Sequence, residues 1–438
     1  MVNIKEKLKT YFEPLDFKAL TVKQRYFLII QVALIVAAPV ILLLNPVNNI
    51  AFIFFLFTLL LVHRCKLSTG IRMCIAAVDL ALVMPVIGSQ SGTFSYVATM
   101  IGIYVILSLG LNIVVGFTGL LNLGYAAFYA VGAYTYAIFA SNQGANFIPF
   151  INFPLSGNWF WPFLVISLVL SGGVGFLLGL PVLRLKGDYL AIVTLGFAEI
   201  IRLLFNNLNT PVNITNGPMG ITPIQAPMIF NIRLNRPVHY YVIVLVLVVL
   251  TVIVVKNLEN SRIGRSWVAI REDELVARTM GVPVVRMKLL SFSIGAALAG
   301  MMGVVFGALQ SYIDPTSFTF MESIVILCMV ILGGSGNSTG VIIGALAVVV
   351  LQLQILKDLS QFFNTLSQSG VLHLPAQLNP AKYERLIFGL ILVFMCIFRP
   401  KGILPEKRML NIKALLGGKK PENISKLPAV PPETMGGE

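Results

Sequence analysis

The residues of this sequence that could do chemistry are crowded into one polar loop. Charged residues make up 11% of the chain, yet residues 257–286 hold a dense run of arginines and carboxylates between two long apolar segments. On a helix over 266–280, residues spaced three and four apart share one face. This face comprises Trp267, Ile270, Glu274, Ala277 and Gly281. A glycine after the last periodic position, with a proline soon after it, ends a helix. The loop therefore predicts a capped surface helix.

The charges on this predicted helix indicate what its surface could bind. Glu274 and Arg278 are four residues apart in the order that favours an ion pair, and Arg271 precedes Glu274 by three. Helices that only lie on lipid carry mostly Lys and Arg. Here Glu272 and Asp273 add further negative charge, which an anionic leaflet would repel. The composition favours docking to a protein over contact with lipid, and both interpretations remain open at this point.

Other patterns of catalytic or cofactor-binding residues are missing from the sequence. The glycine-rich stretch 333–340 lacks the lysine with which a P-loop reaches nucleotide phosphates. The histidines His63, His239 and His373 are scattered and form no HExxH pair. We therefore expect no catalytic residue, no metal site and no cofactor in this chain, which argues against an enzyme.

The elements that must position the loop are long apolar segments. The chain has 438 residues, a mean hydropathy of +0.87 and 57% hydrophobic residues, which is too apolar for a soluble protein of this size. A helix needs about 20 apolar residues to cross a bilayer core. Segments near this length lie at 26–44, 47–63, 71–87, 96–115, 122–140, 159–180, 188–206, 238–256, 287–311, 318–333, 339–357 and 383–398. They predict an all-α, polytopic integral membrane protein with about 10–12 transmembrane helices.

The distribution of basic residues predicts how the chain crosses the membrane. Most of the 32 Lys and Arg fall on one side if both termini are cytoplasmic, and residues 257–286 then lie on that side as well. The net charge of +14 reflects contact with membrane lipid headgroups on this interpretation, so binding to nucleic acid is not needed to explain it.

One pair of charged residues falls within an apolar segment. Glu199 lies about 16 Å along a helix from Asp188, which places it near mid-bilayer. Arg202 follows one turn later on the same face. The pair could line a pathway, or it could lock this helix against its neighbours or against a second subunit.

Two groups of glycines interrupt other apolar segments. The first group is Gly116, Gly119 and Gly124, and the second is Gly333, Gly334 and Gly336. Irregular backbone is tolerated within a membrane only where it is buried in protein or lines a water-filled cavity. The glycines therefore predict broken helices that could line a pathway.

Six longer stretches carry motifs that occur in a fixed order. They are 111–124, 184–202, 264–282, 318–322, 332–336 and 399–405. Together they resemble the permeases of ATP-binding-cassette (ABC) importers for branched-chain amino acids. Within the loop, Glu274, Ala277 and Gly281 match the E, A and G positions of the E-A-A-type motif of that family. The resemblance covers roughly residues 96–405, and the apolar segments before residue 90 resemble those of the longer, M-type subunit.

The resemblance implies an ABC importer permease fold and a division of the chain into three parts. Residues 1–90 would form an N-terminal extension with about three membrane spans. Residues 91–405 would form the permease core, which includes the coupling loop 257–286. Residues 406–438 would form a cytoplasmic tail, and their composition predicts disorder.

The resemblance also implies what the protein does and with which partners. Such a permease moves leucine, isoleucine, valine or related neutral amino acids across a bacterial inner membrane, together with a second, homologous H-type permease. Two cytoplasmic subunits hold ATP–Mg, a periplasmic substrate-binding protein delivers the substrate, and the coupling helix docks on an ATP-binding subunit. The coupling residues would be Trp267, Ile270, Arg271, Glu272, Asp273, Glu274, Ala277, Arg278 and Gly281. The alternatives are an ABC permease for urea or short amides and an ion-coupled secondary transporter.

Overall fold

The computed structural model describes residues 37, 39–42, 49–64, 75–146, 150, 152–182, 188–210, 212–229, 232–368, 383–399 and 402–404. Its helices, in chain order, are α1 (Asn49–Arg64), α2 (Ile75–Gln90), α3 (Gly92–Phe117), α4 (Tyr125–Ala137), α5 (Phe160–Val182), α6 (Asp188–Asn207), α7 (Pro237–Glu259), α8 (Arg262–Glu272), α9 (Glu274–Thr279), α10 (Val284–Gln310), α11 (Phe320–Gly333), α12 (Ser338–Val350), α13 (Leu356–Gln368) and α14 (Glu384–Phe398). Strands β1 (Met228–Ile229) and β2 (Ile232–Arg233) form one short antiparallel hairpin.

The predicted apolar segments become helices. Every segment from 47–63 onward contains a helix within the described residues, whereas most of segment 26–44 lies outside them. Six helices of the described part are long and apolar enough to cross a membrane, namely α3, α5, α6, α7, α10 and the joined pair α12–α13. The prediction of an all-α membrane protein is confirmed. The total number of spans stays a prediction, because part of the N-terminal region is not described.

A helix next to each of the two groups of glycines is shorter than a bilayer is thick. Helix α4 has 13 residues and α11 has 14, which correspond to about 20 Å against a hydrocarbon core of about 30 Å. Both helices adjoin a glycine-rich break: α4 begins after Gly124, and α11 ends at Gly333. The breaks predicted from the two groups of glycines are therefore present.

Helix α10 forms the centre of the bundle, where α5, α4 and α3 pack along it. Glycines let the backbones touch, since a Cβ atom on Gly303 would lie 2.2 Å from the carbonyl oxygen of Tyr129. A Cβ atom on Gly132 would lie 2.0 Å from the carbonyl oxygen of Gly300. Small residues at such contacts are typical of helix packing within membranes, where close van der Waals contact replaces the hydrophobic driving force.

This close contact gives a first prediction. Gly303→Val should destabilise the bundle by about 3 kcal/mol, because the new side chain would force α4 and α10 apart. Gly173→Val on α5 is the matched control, since nothing lies within 4 Å of a Cβ atom at that position. Thermal unfolding in detergent measures both variants. Equal melting temperatures for the two would contradict the packing described here.

The N-terminal segment packs onto the core in the described part of the chain. Phe52 on α1 stacks on Phe94 of α3 with ring centroids 4.2 Å apart. Asn49 donates a hydrogen bond to Asp358 on α13 at 2.8 Å. The three-part division of the chain stays a prediction, and the predicted disorder of 406–438 falls outside the described residues.

Candidate functional site

The polar loop between α7 and α10 begins with a capped helix. The Ser261 hydroxyl oxygen accepts hydrogen bonds from the backbone N–H groups of Ile263 and Gly264 at 3.1 and 3.2 Å, so it satisfies two of the free donors at the start of α8. Helix α8 is amphipathic and turns Trp267 and Ile270 inward, with exposed fractions of 0% and 4%.

The loop contains two helices rather than the single helix predicted over 266–280. Asp273 is extended, with φ −156° and ψ 113°, and separates α8 from α9. Its Oδ1 atom accepts hydrogen bonds from the N–H groups of Leu275 and Val276 at 2.8 and 3.0 Å. An aspartate in this position caps a new helix because its carboxylate replaces the backbone partners that the continuous helix would supply. The predicted end was correct, since Gly281 has a φ of +83°.

The apolar face predicted from the 3-4-3-4 spacing points into the chain. Trp267 stacks on Phe117 with centroids 6.4 Å apart, and its Nε1 atom donates to the carbonyl oxygen of Met287 at 2.8 Å. Ile270 and Ala277 are also buried, and they form one small cluster beside the start of α10. These residues anchor the loop to its own protein and do not form an exposed docking surface.

A different set of apolar residues is exposed on the loop. Leu275, Val276 and Met280 are 71%, 55% and 78% exposed, and we call these three residues the apolar patch. The charged residues Glu272, Asp273 and Arg278, close to the patch in sequence, are exposed as well, and Gly281 directly follows Met280. The periodicity analysis missed the patch because it assumed one continuous helix. Asp273 followed by Leu275 and Val276 was the sequence signal of a second helix start.

Glu274 contacts a lysine across the turn rather than Arg278. Its Oε2 atom lies 2.7 Å from Nζ of Lys288, whose side chain is 7% exposed. The predicted pair with Arg278 is wrong because Arg278 points outward from the short α9. A buried lysine that loses its carboxylate partner is strongly unfavourable. Glu274 therefore fixes the orientation of α9 against α10.

Arg271 connects the loop to the first glycine break. Its Nη1 atom donates a hydrogen bond to the carbonyl oxygen of Gly116 in the π-helical last turn of α3. Gly119 follows with a φ of +71°, and a Cβ atom there would lie 3.0 Å from Cγ of Arg271. The break extends to Gly124, after which α4 begins.

The second glycine break lies against the first. Gly334 and Gly336 have φ values of +112° and +85°, which favour glycine because other residues rarely adopt them. The N–H group of Gly336 donates to Oδ1 of Asn112 at 2.9 Å. Asn337 then caps α12 by accepting from the N–H group of Thr339 at 3.1 Å. Tertiary structure thus brings together two groups of glycines that are more than 200 residues apart.

Glu199 and Arg202 form the predicted ion pair within α6. Nε of Arg202 donates to Oε1 of Glu199 at 2.9 Å. The side chains are 43% and 25% exposed, so the pair lies on the surface of this chain and locks α6 against no other helix of the described part. Contact with a substrate or with a second subunit remain the two interpretations. The described residues contain no group of three His, Cys, Asp or Glu side chains that could hold a metal ion.

Long apolar helices around glycine-broken segments, together with a loop that exposes an apolar patch, place the chain among helical membrane permeases. A family model described as "Branched-chain amino acid transport system / permease component" matches residues 93–396. The chain belongs to this permease family. The resemblance stated from the motifs is thereby confirmed.

Individual relatives agree with the family assignment. The high-affinity branched-chain amino acid transport system permease protein LivM of Escherichia coli K12 is 40% identical over 357 residues, which cover 76% of this chain and 75% of LivM. A probable LivM of Methanocaldococcus jannaschii is 27% identical over 346 residues, covering 72% and 94%. LivH of the same E. coli strain is 24% identical over 258 residues, covering 56% and 78%. No solved structure matches the chain.

Proposed function

We propose that this chain is a transmembrane permease subunit of an ATP-driven ABC importer that moves leucine, isoleucine, valine or related neutral amino acids inward. The observation that carries the proposal is the solvent-exposed apolar patch of Leu275, Val276 and Met280, in a chain whose family and relatives are branched-chain amino acid permeases. An exposed patch rimmed by charged residues is typical of a protein interaction site.

The apolar patch is the docking site for a cytoplasmic ATP-binding subunit. Two such subunits would hold ATP–Mg, since the sequence of this chain has no P-loop lysine. The loop is held on its own chain, because Trp267, Ile270 and Ala277 are buried and the Glu274–Lys288 pair orients α9. Of the predicted coupling residues, Trp267, Ile270, Glu274 and Ala277 thus anchor the loop, whereas the apolar patch consists of residues that the prediction did not include.

A second, H-type permease covers the exposed face of α6. The chain is similar both to LivM and to LivH of Escherichia coli K12, and both of those proteins are described as permeases of a high-affinity branched-chain amino acid transport system. The α6 face exposes Ile192, Ile200 and Leu203 beside the Glu199–Arg202 pair. An ion pair near mid-bilayer is costly against lipid, so protein or water covers it. The pathway then runs between the two permeases.

The α6 pair gives a second prediction. Glu199→Ala and Arg202→Ala should each reduce assembly with the second permease, because each variant leaves one unpaired charge within the membrane. The exchange Glu199→Arg/Arg202→Glu should restore assembly, measured by co-purification. If the exchange restores assembly but not uptake, the pair contacts the substrate. Failure of the exchange to restore assembly would contradict the structural role.

The proposal also concerns the outer face of the protein and its orientation in the membrane. A periplasmic substrate-binding protein docks on the outer loops, which include residues 141–158 and 206–237. The chain lies in a bacterial inner membrane with both termini cytoplasmic, as the excess of Lys and Arg near the coupling loop supports.

Reconstitution of the whole transporter in proteoliposomes tests the function. The expected result is uptake of radiolabelled leucine, isoleucine or valine that requires ATP, the binding protein and both permeases. The purified chain alone should hydrolyse no ATP. Uptake driven by an ion gradient without ATP-binding subunits would contradict the proposal, and preferential uptake of urea or short amides would contradict the substrate class.

A further inference from the structure

The polar loop between α7 and α10, called the docking loop because it carries the apolar patch, is connected to the two glycine breaks by hydrogen bonds. Arg271 holds the carbonyl oxygen of Gly116 in the first break. Asn112 lies one turn before Gly116 on α3, and its Oδ1 atom accepts a hydrogen bond from the N–H group of Gly336 in the second break at 2.9 Å. Contact therefore runs from the loop to the first break and from there, through one side chain, to the second break.

Packing at this junction leaves no free space. A Cβ atom on Gly116 would lie 1.9 Å from Oδ1 of Asn112 and 2.5 Å from the nitrogen of Gly336. The two breaks are consequently in direct contact, so a displacement of one must displace the other unless the Asn112 bond opens. Interiors packed to this density transmit small movements instead of absorbing them.

Asn112 itself has a feature that stability does not explain. Its side chain is fully buried at 0% exposure, and its Nδ2 donor has no hydrogen-bond partner within the described chain. A buried donor without a partner costs free energy, and such groups in native proteins call for a role beyond packing. A leucine of similar size would fill the same space without this cost, but it could not accept the Gly336 N–H group.

A second connection reaches the second break by another route. The Ser338 hydroxyl group at the start of α12 donates to Oε2 of Glu259 at 2.9 Å, and Glu259 ends the helix that leads into the loop. The Ser338–Glu259 hydrogen bond is exposed, so water competes with it. The Asn112–Gly336 hydrogen bond is buried, so water does not.

We propose that Arg271 and Asn112 are positioning residues that carry movement of the docking loop to both glycine breaks, so that the breaks move together at the cytoplasmic end of the pathway. The proposal rests on the function given above, in which ATP-binding subunits move the loop. It goes beyond that function by naming the side chain that carries the movement to each break. Arg271 carries it from the loop to the first break, and Asn112 carries it from the first break to the second.

Cysteine labelling in the complete transporter tests the proposal. The native cysteines are replaced by alanine. Two single-cysteine transporters are then made, one with Leu121→Cys in the first break and one with Ser335→Cys in the second break, since both positions are exposed. The rate of reaction with a water-soluble maleimide is measured with and without a non-hydrolysable ATP analogue. In the otherwise unchanged transporter, both reporters should change their labelling rate with nucleotide.

The variants then separate the two connections. In Asn112→Leu, the nucleotide response should be lost at Ser335 and kept at Leu121, and uptake per ATP hydrolysed should fall. In Asn112→Asp, which keeps the accepting oxygen, both responses should return. Arg271→Ala should lose both responses, and Ser338→Ala should keep both.

Three results would overturn the proposal. The first is a Ser335 response that survives Asn112→Leu. The second is a response that is lost in Ser338→Ala, since the movement would then use the exposed connection. The third is a failure of Asn112→Leu to assemble while Asn112→Asp assembles normally, which would make the Asn112–Gly336 hydrogen bond a requirement of assembly rather than a carrier of movement. No nucleotide response at either reporter in the unchanged transporter would instead contradict the proposed function.

Discussion

We expect the double substitution Leu275→Glu/Met280→Glu to abolish ATP-dependent uptake by the assembled transporter. Leu275 and Met280 are 71% and 78% exposed in this chain, and both would become buried when an ATP-binding subunit covers the apolar patch. Burial of two such side chains contributes about 3–6 kcal/mol, so their loss should weaken association at least about a hundredfold. Co-purification of the ATP-binding subunits and uptake in proteoliposomes measure the effect.

An equally exposed methionine provides the matched control. Met219 is also 78% exposed but lies in the loop between α6 and α7, on the side opposite to the patch in the predicted topology. Met219→Glu should leave association with the ATP-binding subunits unchanged. Normal association in the Leu275/Met280 variant would show that docking uses another part of the loop. Aggregation of the variant before assembly would be detected by size-exclusion chromatography.

The second large effect concerns Glu274. Glu274→Gln should destabilise the loop by about 1–2 kcal/mol, because the nearly buried ammonium group of Lys288, 2.7 Å from the carboxylate, loses its countercharge, while the 38% exposure of the Glu274 side chain lets water screen part of the loss. The motif alone attributes the importance of this glutamate to contact with the ATPase. The geometry gives a different reason, since α9 and its apolar patch lose their fixed orientation on α10. Thermal unfolding in detergent, together with uptake, measures the change.

Two further variants separate these explanations. Lys288→Met added to Glu274→Gln removes the uncompensated charge, so the double variant should recover most of the stability and much of the uptake. Glu272→Gln is the control, because the Glu272 side chain is 48% exposed and lies 3.6 Å from Arg271, and surface pairs contribute at most about 1 kcal/mol. Reduced uptake in Glu274→Gln with unchanged stability would instead place Glu274 in direct contact with the ATPase.

For the docking loop, local sequence patterns predicted some structural features correctly and missed others. The spacing of Trp267, Ile270 and Ala277 correctly predicts one apolar face, since all three side chains are buried. The same pattern does not say whether the face packs on its own protein or on a partner, because burial is favourable in either place. The interruption of the helix at Asp273 was also missed. The Asp273 side chain can cap a new helix, but the periodic apolar pattern runs on through this position and so conceals the interruption.

Local sequence patterns could not predict contacts between residues that are distant in sequence. Glu274 pairs with Lys288 across the Gly281 turn instead of with Arg278, because Glu274 at the start of α9 faces α10, whereas Arg278 is exposed. Asn112 was not singled out at all. Its contact with Gly336 joins residues 224 positions apart, and no spacing rule connects them.

The sequence by itself determined the membrane class, the helical segments, the two glycine breaks, the Glu199–Arg202 pair and, through its motifs, the family. The structural features among these depend on residues within a few helical turns, where hydropathy, periodicity and backbone preference act directly, and the family depends on motifs read from the sequence itself. Only the tertiary structure decided which face of the loop is exposed, which cation neutralises Glu274 and that the two breaks touch. Those outcomes depend on how whole helices pack, and glycines on α10 and α4 set that packing by letting their backbones approach.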